Sequence, residues 1–293
     1  MTLSRKSGIH AITPAEYHQD PSDEPSLSAH IAHVLLTRSP LHAWTASPRL
    51  NPNYERTERA TFDLGTAVHD LWLRGKQDTV VIVEANDWRT KAAQEQRDAA
   101  YLAGRTPLLA KDWQRVREMC QAIEDQLAER EDNPPLFAKG GQAEQTIIWR
   151  ERGVTCRALV DWLHIANGTV CDLKTTSASA NPHAWCRTTM WNIGADIQLA
   201  MHSRGVQAVT GKPVLMRYCV VETTPPYALS VVTLAPPALE LANAKVDRAM
   251  DTWRECLATN TWPAYTRELC HAEPPPWEEA RFLEEQAIKG LAA

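Results

Sequence analysis

The sequence lacks any pair of cysteines with the Cys-x-x-Cys spacing that zinc ribbons and iron–sulfur clusters use. Its cysteines are odd in number and widely separated: Cys120, Cys156, Cys171, Cys186, Cys219, Cys256 and Cys270. Closely spaced thiolates usually bind structural zinc or iron–sulfur clusters, and disulfides are typical of oxidising compartments. We therefore expect reduced, mostly buried thiols, with no structural metal and no iron–sulfur cluster.

Long hydrophobic runs and an excess of positive charge are also missing. No apolar run of roughly eighteen residues occurs, and the first ten residues (MTLSRKSGIH) lack the apolar segment of a signal peptide. The 31 basic and 36 acidic side chains give a net charge of −5, so no global positive field would hold the protein on DNA or on an anionic membrane. We expect a cytoplasmic protein with no membrane partner, whose contacts with nucleic acid would be local.

An ATPase motif is absent as well. Residues 205–213 (GVQAVTGKP) resemble a phosphate-binding loop, but five residues separate the two glycines where four are required. Pro213 stands where a serine or threonine should bind magnesium. This segment is therefore interpreted as a helix end and a loop, and any reaction should proceed without ATP.

What the sequence does contain is an acid, one spacer and a lysine at the end of an apolar segment, in residues 170–176 (VCDLKTT). Side chains alternate along a β-strand, so Asp172 and Lys174 should share one face, about 7 Å apart. Cys171 and Leu173 should face a core. An exposed strand with an ordinary acid–lysine pair has the same pattern, so the neighbouring segments must decide.

Three short segments rich in β-branched residues should form an antiparallel meander: residues 143–150, 154–164 and 169–175. An Asn-Gly pair at residues 167–168 favours a tight type I′ hairpin between the last two. The hairpin would fold Asp161 back beside Asp172, and Glu144 would join them from the neighbouring strand. Buried carboxylates are costly unless a cation compensates them, so this cluster indicates a divalent metal.

Two predicted helices should flank the cluster. Residues 59–75 have an apolar stripe with His69 at its margin, where a histidine bonded to a backbone carbonyl would be equally natural. The small residues 65–67 would let another chain, such as a phosphate backbone, approach closely. On a helix over residues 183–209, Gln198 and His202 lie four residues apart on one face, close to Lys174.

The rest of the chain has ordinary helix and strand signals. Helices are predicted to end near residue 37 and to cover 108–131 and 236–259, with a polar helix over 88–104 and a charged one over 278–291. Strands are predicted over 79–84, 213–221 and 228–234.

One nuclease superfamily combines these residue types in this order, and the chain resembles it: the PD-(D/E)xK nucleases, in their RecB-like branch. Within that branch the resemblance is closest to the C-terminal nuclease domain of phage and prophage exonuclease VIII (RecE). The residues that carry it are His69, Glu144, Asp161, Asp172-Leu173-Lys174 and Gln198. The surrounding segments span about residues 12–277 and are Ser26-x-Ser28, Ser39-Pro40-Leu41-His42, GTAVHD, GVTCRALVD, CDLKTT, DIQLAMH and Trp262-Pro263-x-Tyr265. One departure is His202, because the family's helix usually carries a tyrosine four residues after the glutamine.

The resemblance implies an α/β (α+β) fold with a restriction-endonuclease-like core, in which helices flank a mixed central β-sheet, and a helical N-terminal extension. A single nuclease domain should cover residues 11–277. Its helical part would lie at about residues 11–135 and its catalytic core at about residues 140–260. A flexible N-terminus (residues 1–10) and a helical tail (residues 278–293) would flank it.

The resemblance also implies a catalytic site that binds Mg²⁺, or Mn²⁺ as a substitute. The implied metal ligands are Asp161, Asp172, the backbone carbonyl of Leu173, Glu144 and His69. Lys174 would orient the attacking water and help to deprotonate it, and Gln198 would position Lys174 or the water. Contacts with DNA are expected from Arg157, Thr175, Thr176 and His202.

The implied substrate is the end of linear double-stranded DNA, degraded 5′ to 3′ to give 5′-phosphate products and a 3′ overhang. The overhang would serve a phage single-strand annealing protein in recombination. A ring-shaped homo-oligomer in the cytoplasm of a bacterial host cell is implied too.

Two alternatives stay open. One is a Cas4-like or structure-specific endonuclease of the same superfamily, although the close C-terminal group of cluster cysteines is missing. The other is a non-catalytic DNA-end-binding protein, which would have lost at least one of Asp161, Asp172 and Lys174, whereas all three are present.

Overall fold

The computed structural model describes residues 5–55 and 60–291, with the side chains at 60–62 and 289–291 left out. The chain divides into two compact units, Met1–Pro263 and Ala264–Ala293. The second unit contains one helix, Pro276–Leu291, within its described residues. None of the helices among the described residues is both long and apolar enough to cross a bilayer.

The strands of the first unit form two sheets. In the described residues the strands are β1 (Gly8–His10), β2 (Val80–Val83), β3 (Thr106–Leu109), β4 (Gln142–Glu151), β5 (Val154–His164), β6 (Thr169–Thr176), β7 (Leu215–Glu222) and β8 (Leu229–Val232). The larger sheet has the order β1-β4-β5-β6-β7-β8, and β2 pairs with β3 in a small parallel sheet. Neighbours in the larger sheet are antiparallel except β6 and β7, which are parallel. The predicted α/β (α+β) class with a mixed central sheet is therefore confirmed.

The helices of the first unit lie around this sheet. In chain order they are α1 (Pro14–His18), α2 (Ala29–Thr37), α3 (Pro40–Thr45), α4 (Ala60–Val68), α5 (Lys91–Leu102), α6 (Ala110–Ala128), α7 (Pro182–Ala184), α8 (Met190–Asn192), α9 (Ala195–Thr210) and α10 (Pro236–Thr259). The helix of the second unit is α11 (Pro276–Leu291). Side-chain caps begin α2 and α3, because Ser28 accepts from the Ile31 amide and Ser39 from the His42 amide.

Helices cover both faces of the larger sheet and enclose two cores. On one face α2, α9 and α10 pack around the buried side chains of Trp149 and Trp253. On the other face α4 and α6 pack around a core that includes Ile123 and Leu173. Because side chains alternate along β6, Leu173 points towards α4 while Asp172 points towards α9, as the sequence predicts. The acid and the lysine therefore lie on a strand that is enclosed between two helical layers.

The two hairpins of the meander differ in their turns. Arg152 and Gly153 connect β4 to β5 with φ angles of 50° and 77°, which are the two left-handed positions that a type I′ turn needs. Residues 165–168 connect β5 to β6, and within this loop only Gly168 has a positive φ, 60°. The prediction of a type I′ turn at Asn167-Gly168 is therefore wrong. The four-residue loop that is present needs only one residue with a left-handed φ, whereas a two-residue type I′ turn needs two. The hairpin itself is present.

Residues 8–10 were predicted to belong to a flexible N-terminus, and this is wrong for them. Gly8–His10 forms β1, which pairs antiparallel with β4, with Ile9 opposite Ile147. Without β1 the backbone groups along this edge of β4 would lack partners, so the segment is held by the sheet.

The helix predicted over residues 183–209 is interrupted. The chain forms α7, a wider helical turn at Trp185–Thr189, and α8, and α9 begins only after Gly194. Gly194 has a left-handed φ of 71°, and a Cβ there would lie 2.5 Å from the His33 ring. A residue with a side chain would fit neither condition, so the break depends on one glycine.

Candidate active site

Asp172 and Lys174 on β6 form an ion pair at the centre of the site. Asp172 is fully buried, whereas the Lys174 side chain is 26% exposed. Burial lowers the pKa of Lys174, but the charges of Asp172 and Asp161 outweigh this effect, so the pKa is raised and the ammonium stays protonated. The pair is therefore not the exposed surface pair that the strand alone would allow.

Gln198 on α9 holds the second oxygen of Asp172. Its Nε2 donates to Asp172 Oδ2 at 3.0 Å. The Tyr218 hydroxyl donates to the Ala195 carbonyl at 2.6 Å and lies 3.3 Å from Gln198 Oε1. Lys174 Nζ lies 5.4 Å from the centre of the Tyr218 ring, which is a cation–π distance. Tyr218 therefore contacts both groups that hold Asp172.

Sequence reasoning did not single out Tyr218. It occupies β7, which is parallel to β6, and in that register Tyr218 pairs with Asp172. The sequence offered one hint, because Tyr218 is the one aromatic residue of the strand LMRYCVVE. The pairing of β7 with β6, however, joins segments more than forty residues apart, and neither strand's sequence predicts it.

Three further side chains form a group that could bind a metal ion. His69, Glu144 and Asp161 each place one ligand atom within 4.8 Å of the others. Their chemistry fits a divalent cation, since carboxylate oxygens suit Mg²⁺ and Mn²⁺ and an imidazole nitrogen is accepted by many divalent ions. Among the described residues this is the one such group of histidine, cysteine or acidic side chains.

The backbone of Leu173 connects this group to β6. Asp161 Oδ2 accepts a hydrogen bond from the Leu173 amide at 2.7 Å, and His69 Nε2 donates to the Leu173 carbonyl at 2.7 Å. The His69 Nδ1 atom lies 3.5 Å from Asp161 Oδ2. The helix-edge histidine is thus bonded to a backbone carbonyl, and that carbonyl lies between Asp172 and Lys174.

The structure brings together three of the five predicted metal ligands. Asp172 instead contacts Lys174 and Gln198, and the Leu173 carbonyl is occupied by His69. The assignment of Asp172 and Leu173 as ligands stays a prediction.

Glu144 reaches the group through an irregular point in β4. Its neighbours Ala143 and Gln145 pair with Trp162 and Val160, which leaves Glu144 opposite Asp161, with a left-handed φ of 53°. Burial and the charge of Asp161 raise the pKa of Glu144 to about 7. A carboxyl group in this position gives up its proton most readily when a cation replaces it.

Metal binding should therefore depend on pH through Glu144. Because the pKa of Glu144 is raised in the folded protein, ionisation of this group lowers the stability of the ion-free protein as pH rises through about 7. Metal binding has the opposite pH dependence, because a carboxyl group must lose its proton before it can bind a metal ion. Isothermal titration with Mn²⁺ between about pH 5 and about pH 8 should show affinity that rises with pH and levels off above about 7. Glu144→Gln should bind more weakly and with a flatter pH dependence, and the exposed Glu124→Gln should behave like the wild type. An unchanged pH dependence in Glu144→Gln would contradict this assignment.

The close approach predicted at residues 65–67 is made to β6 itself. A Cβ on Gly65 would lie 2.8 Å from Thr175 Oγ1, so α4 packs directly on the end of β6. This contact brings His69 within reach of Leu173. Thr176 Oγ1 accepts from the Ala178 amide at 3.1 Å. Both threonines are half-buried, and their binding of DNA stays a prediction.

Arg157, which was predicted to bind DNA, takes part in a buried ion pair. Its Nη1 lies 3.0 Å from Asp20 Oδ2 and donates to the carbonyl and the hydroxyl of Ser26 at 2.9 and 2.6 Å. The guanidinium lies 5.4 Å from the centre of the Tyr17 ring. Arg157 is only 4% exposed, so these contacts are inside the protein and its contact with DNA stays a prediction.

His202, which stands where the resemblance would place a tyrosine, is buried on α9. Burial lowers its pKa to about 4, although the charge of Asp172 acts in the opposite direction, so the imidazole is neutral at neutral pH. Its Nδ1 has no hydrogen-bond partner among the described residues. Together with Asp161 and Gln198 it lines a cavity of about 370 Å³. Its contact with DNA stays a prediction.

Comparisons with known proteins agree with this architecture. A family model described as a PDDEXK-like domain of unknown function (DUF3799) matches residues 36–273. A crystal structure from Eubacterium rectale, described as a candidate exonuclease, is 14% identical with a TM-score of 0.60, covering 91% of this chain and 96% of that one. A structure named SSO0001 is 12% identical over 72% of this chain and 100% of its own, with a TM-score of 0.26, so the two folds differ over most of their length. No curated protein matches the chain.

Proposed function

We propose, from the premise that this chain belongs to the PDDEXK-like family, that it is a metal-dependent nuclease that hydrolyses phosphodiester bonds in DNA. The predicted membership of the PD-(D/E)xK superfamily is confirmed by the family match over residues 36–273. One observation carries the proposal: Asp161 and His69 both bond to the backbone of Leu173, between Asp172 and Lys174. This places the three possible metal ligands His69, Glu144 and Asp161, here called the metal-ligand group, next to the Lys174 ammonium.

Each group at this point has a role in the proposed hydrolysis. A bound Mg²⁺ or Mn²⁺ ion, held by His69, Glu144 and Asp161, would supply Lewis-acid stabilisation of negative charge on the phosphate. Lys174 is kept protonated by its acidic neighbours, so it would donate hydrogen bonds to the attacking water and the scissile phosphate. The expected help of Lys174 in deprotonating the water does not fit a protonated ammonium, and that proton would pass to solvent. Asp172 fixes the position of Lys174 from within the protein.

The finer proposal is an ATP-independent exodeoxyribonuclease that degrades linear duplex DNA from its ends, 5′ to 3′, with 5′-phosphate products. Its support is the sequence resemblance to the exonuclease VIII nuclease domain and the fold shared with a structure described as a candidate exonuclease. A 3′ overhang passed to a single-strand annealing protein, a ring-shaped homo-oligomer and a cytoplasmic location belong to the same proposal.

Linear duplex labelled at either the 5′ or the 3′ end tests this function. With Mg²⁺, degradation should begin at ends, should not require ATP and should stop with EDTA, and covalently closed duplex should survive. Rapid nicking of closed circles would favour the endonuclease alternative. Binding of ends without hydrolysis under any of these conditions would favour the non-catalytic alternative.

Removal of the Tyr218 hydroxyl should reduce turnover without weakening substrate binding. Tyr218→Phe keeps the ring beside Lys174 but removes the bond to the Ala195 carbonyl at the start of α9 and the 3.3 Å contact with Gln198 Oε1. Gln198 is then held less firmly against Asp172, so we expect kcat to fall about tenfold and KM to change less than about twofold. Tyr227→Phe is the matched control, because the Tyr227 hydroxyl bonds to Glu118 at 2.8 Å on a different helix. Equal loss in both variants, or a change confined to KM, would argue against this positioning role.

A further inference from the structure

The cavity beside the metal-ligand group is not used by the mechanism above. Its volume of about 370 Å³ lies within the range of small-molecule pockets. Asp161, Gln198 and His202 form the wall that it shares with the active site. Much of the remaining wall comes from α1 and α2, up to His33, and these residues precede the part of the chain that the family model matches. The cavity therefore belongs to this chain's own N-terminal segment as well as to the nuclease core.

Tyrosine and histidine rings form part of the wall of the cavity. Tyr17, Tyr54, His30 and His33 line it, and Ile193 adds an apolar side chain that is 52% exposed. Flat rings and an exposed aliphatic group offer stacking and apolar contact to a planar ligand.

Fixed positive charge is scarce in the same wall. Among the described lining residues Arg157 is the one arginine and there is no lysine, and Arg157 is paired with Asp20 at 3.0 Å. The carboxylate of Asp161 is also part of the wall. A phosphate group would meet this acid without an unpaired arginine or lysine, so the electrostatics favour an uncharged ligand.

Three buried polar atoms of lining residues lack a partner. Arg157 Nε, His202 Nδ1 and His33 Nδ1 make no hydrogen bond within the described chain, and Arg157 and His202 are only 4% and 3% exposed. A buried polar atom of this kind is destabilising unless something bonds to it. These atoms are shielded from solvent, so a ligand in the cavity would bond to them only after their side chains turn. The polar edge of a nucleobase carries the acceptors and donors that an N–H group and an imidazole nitrogen would then need.

We propose that the cavity receives one unpaired nucleobase of the DNA strand, next to the phosphodiester bond that is cut. This inference rests on the proposed function, because the wall of the cavity contains Asp161 and Gln198. A base that is paired inside a duplex cannot enter such a pocket, so the substrate must present a frayed end or a short overhang. Base occupancy of the cavity thereby restricts cutting to ends.

Binding measurements without hydrolysis test this inference. The DNA is a duplex with one overhanging nucleotide on either the 5′ or the 3′ strand and a fluorophore at the far end. Ca²⁺ replaces Mg²⁺ so that the DNA is bound without being hydrolysed. Anisotropy should show that an abasic overhang on the bound strand weakens binding about tenfold, because the stacking of one base is lost. Removal of the terminal phosphate should change binding less than about twofold, and 2-aminopurine as the overhanging base should change its fluorescence on binding.

A cavity-filling variant supplies the structural arm of the test. Ala29→Leu adds volume at the wall, and Ala92→Leu adds the same side chain near the start of α5, away from the cavity. Ala29→Leu should weaken binding of the base-containing overhang about tenfold and leave the abasic overhang unchanged, whereas Ala92→Leu should affect neither. Circular dichroism and thermal unfolding establish that both variants are folded.

Several results would overturn the inference. They are equal binding of base-containing and abasic overhangs on both strands, a larger effect of the terminal phosphate than of the base, and a loss in Ala29→Leu that is the same for both overhangs. Base-dependent binding without hydrolysis in Mg²⁺ would support the cavity and reject the nuclease. Hydrolysis with base-independent binding would do the reverse.

Discussion

Asp172→Asn should lower the rate of Mg²⁺-dependent hydrolysis of linear duplex DNA by about 10³-fold or more. Asp172 is the group that holds Lys174 on the shared face of β6, and Gln198 is bonded to its other oxygen. An amide in its place loses the charge that fixes Lys174 beside the metal-ligand group, and such charged groups contribute factors of about 10² to 10⁴ to turnover. The measurement is the initial rate at saturating DNA and Mg²⁺.

The same variant should remain folded. Burial and the neighbouring Asp161 raise the pKa of Asp172, so the charged form is held at a cost that the amide avoids. Lys174 loses its partner but is partly exposed, and we expect the unfolding free energy to change by less than about 2 kcal/mol. Asp98→Asn on the exposed face of α5 is the matched control. Hydrolysis at the wild-type rate by folded Asp172→Asn protein would remove the basis of the site.

Local sequence patterns were sufficient to predict which side chains of β6 face which core and how β5 folds back on β6. The alternation of VCDLKTT predicted that Leu173 would be buried against one core with Asp172 on the opposite face, and both positions are observed. The hairpin likewise brings Asp161 to the Leu173 amide. These features depend on residues that are close in sequence or on the strict two-residue period of a strand, which packing rarely overrides.

Long-range contacts explain what the sequence did not predict. The break before α9 depends on the close approach of His33 to Gly194, two positions that are far apart in the chain, while the apolar period continues through the break. The same contact helps to build the cavity, because both residues line it. A hydrophobic pattern reports which face of a helix is buried, but it does not report what the helix is buried against.

In the active site, too, the sequence predicted the position of a residue but not its contacts. His69 was predicted at the margin of a helix, and it is the first residue of a wider helical turn, His69–Leu73, that directly follows α4. Both a role as a metal ligand and a bond to a carbonyl were open to it. The structure shows the carbonyl bond, to Leu173, together with a position 3.5 Å from Asp161. The bond from Nε2 to the strand is therefore observed, and metal binding through Nδ1, which lies beside Asp161, stays a prediction.

Arg157→Leu should lower the free energy of unfolding by about 3–5 kcal/mol, which is the typical cost of breaking a buried ion pair from one side. The carboxylate of Asp20 is fully buried, and without Arg157 its remaining partners would be the Ser26 amide and hydroxyl, at 2.8 and 2.7 Å. The pair also anchors the N-terminal segment, because Leu27 exchanges backbone hydrogen bonds with Thr155 and Arg157 on β5. Chemical denaturation followed by tryptophan fluorescence measures the change.

A double-mutant cycle separates this structural role from contact with DNA. Asp20→Asn removes the stranded charge, so Asp20→Asn/Arg157→Leu should be more stable than Arg157→Leu alone, with a coupling of about 1–3 kcal/mol. If Arg157 acts mainly on DNA, Arg157→Leu would keep wild-type stability, lose DNA binding and gain nothing from Asp20→Asn. The structure favours the first outcome, because each partner of Nη1 belongs to residues 20–26 and none of these contacts faces solvent. The stability of the N-terminal segment that forms part of the cavity wall then depends on this buried arginine.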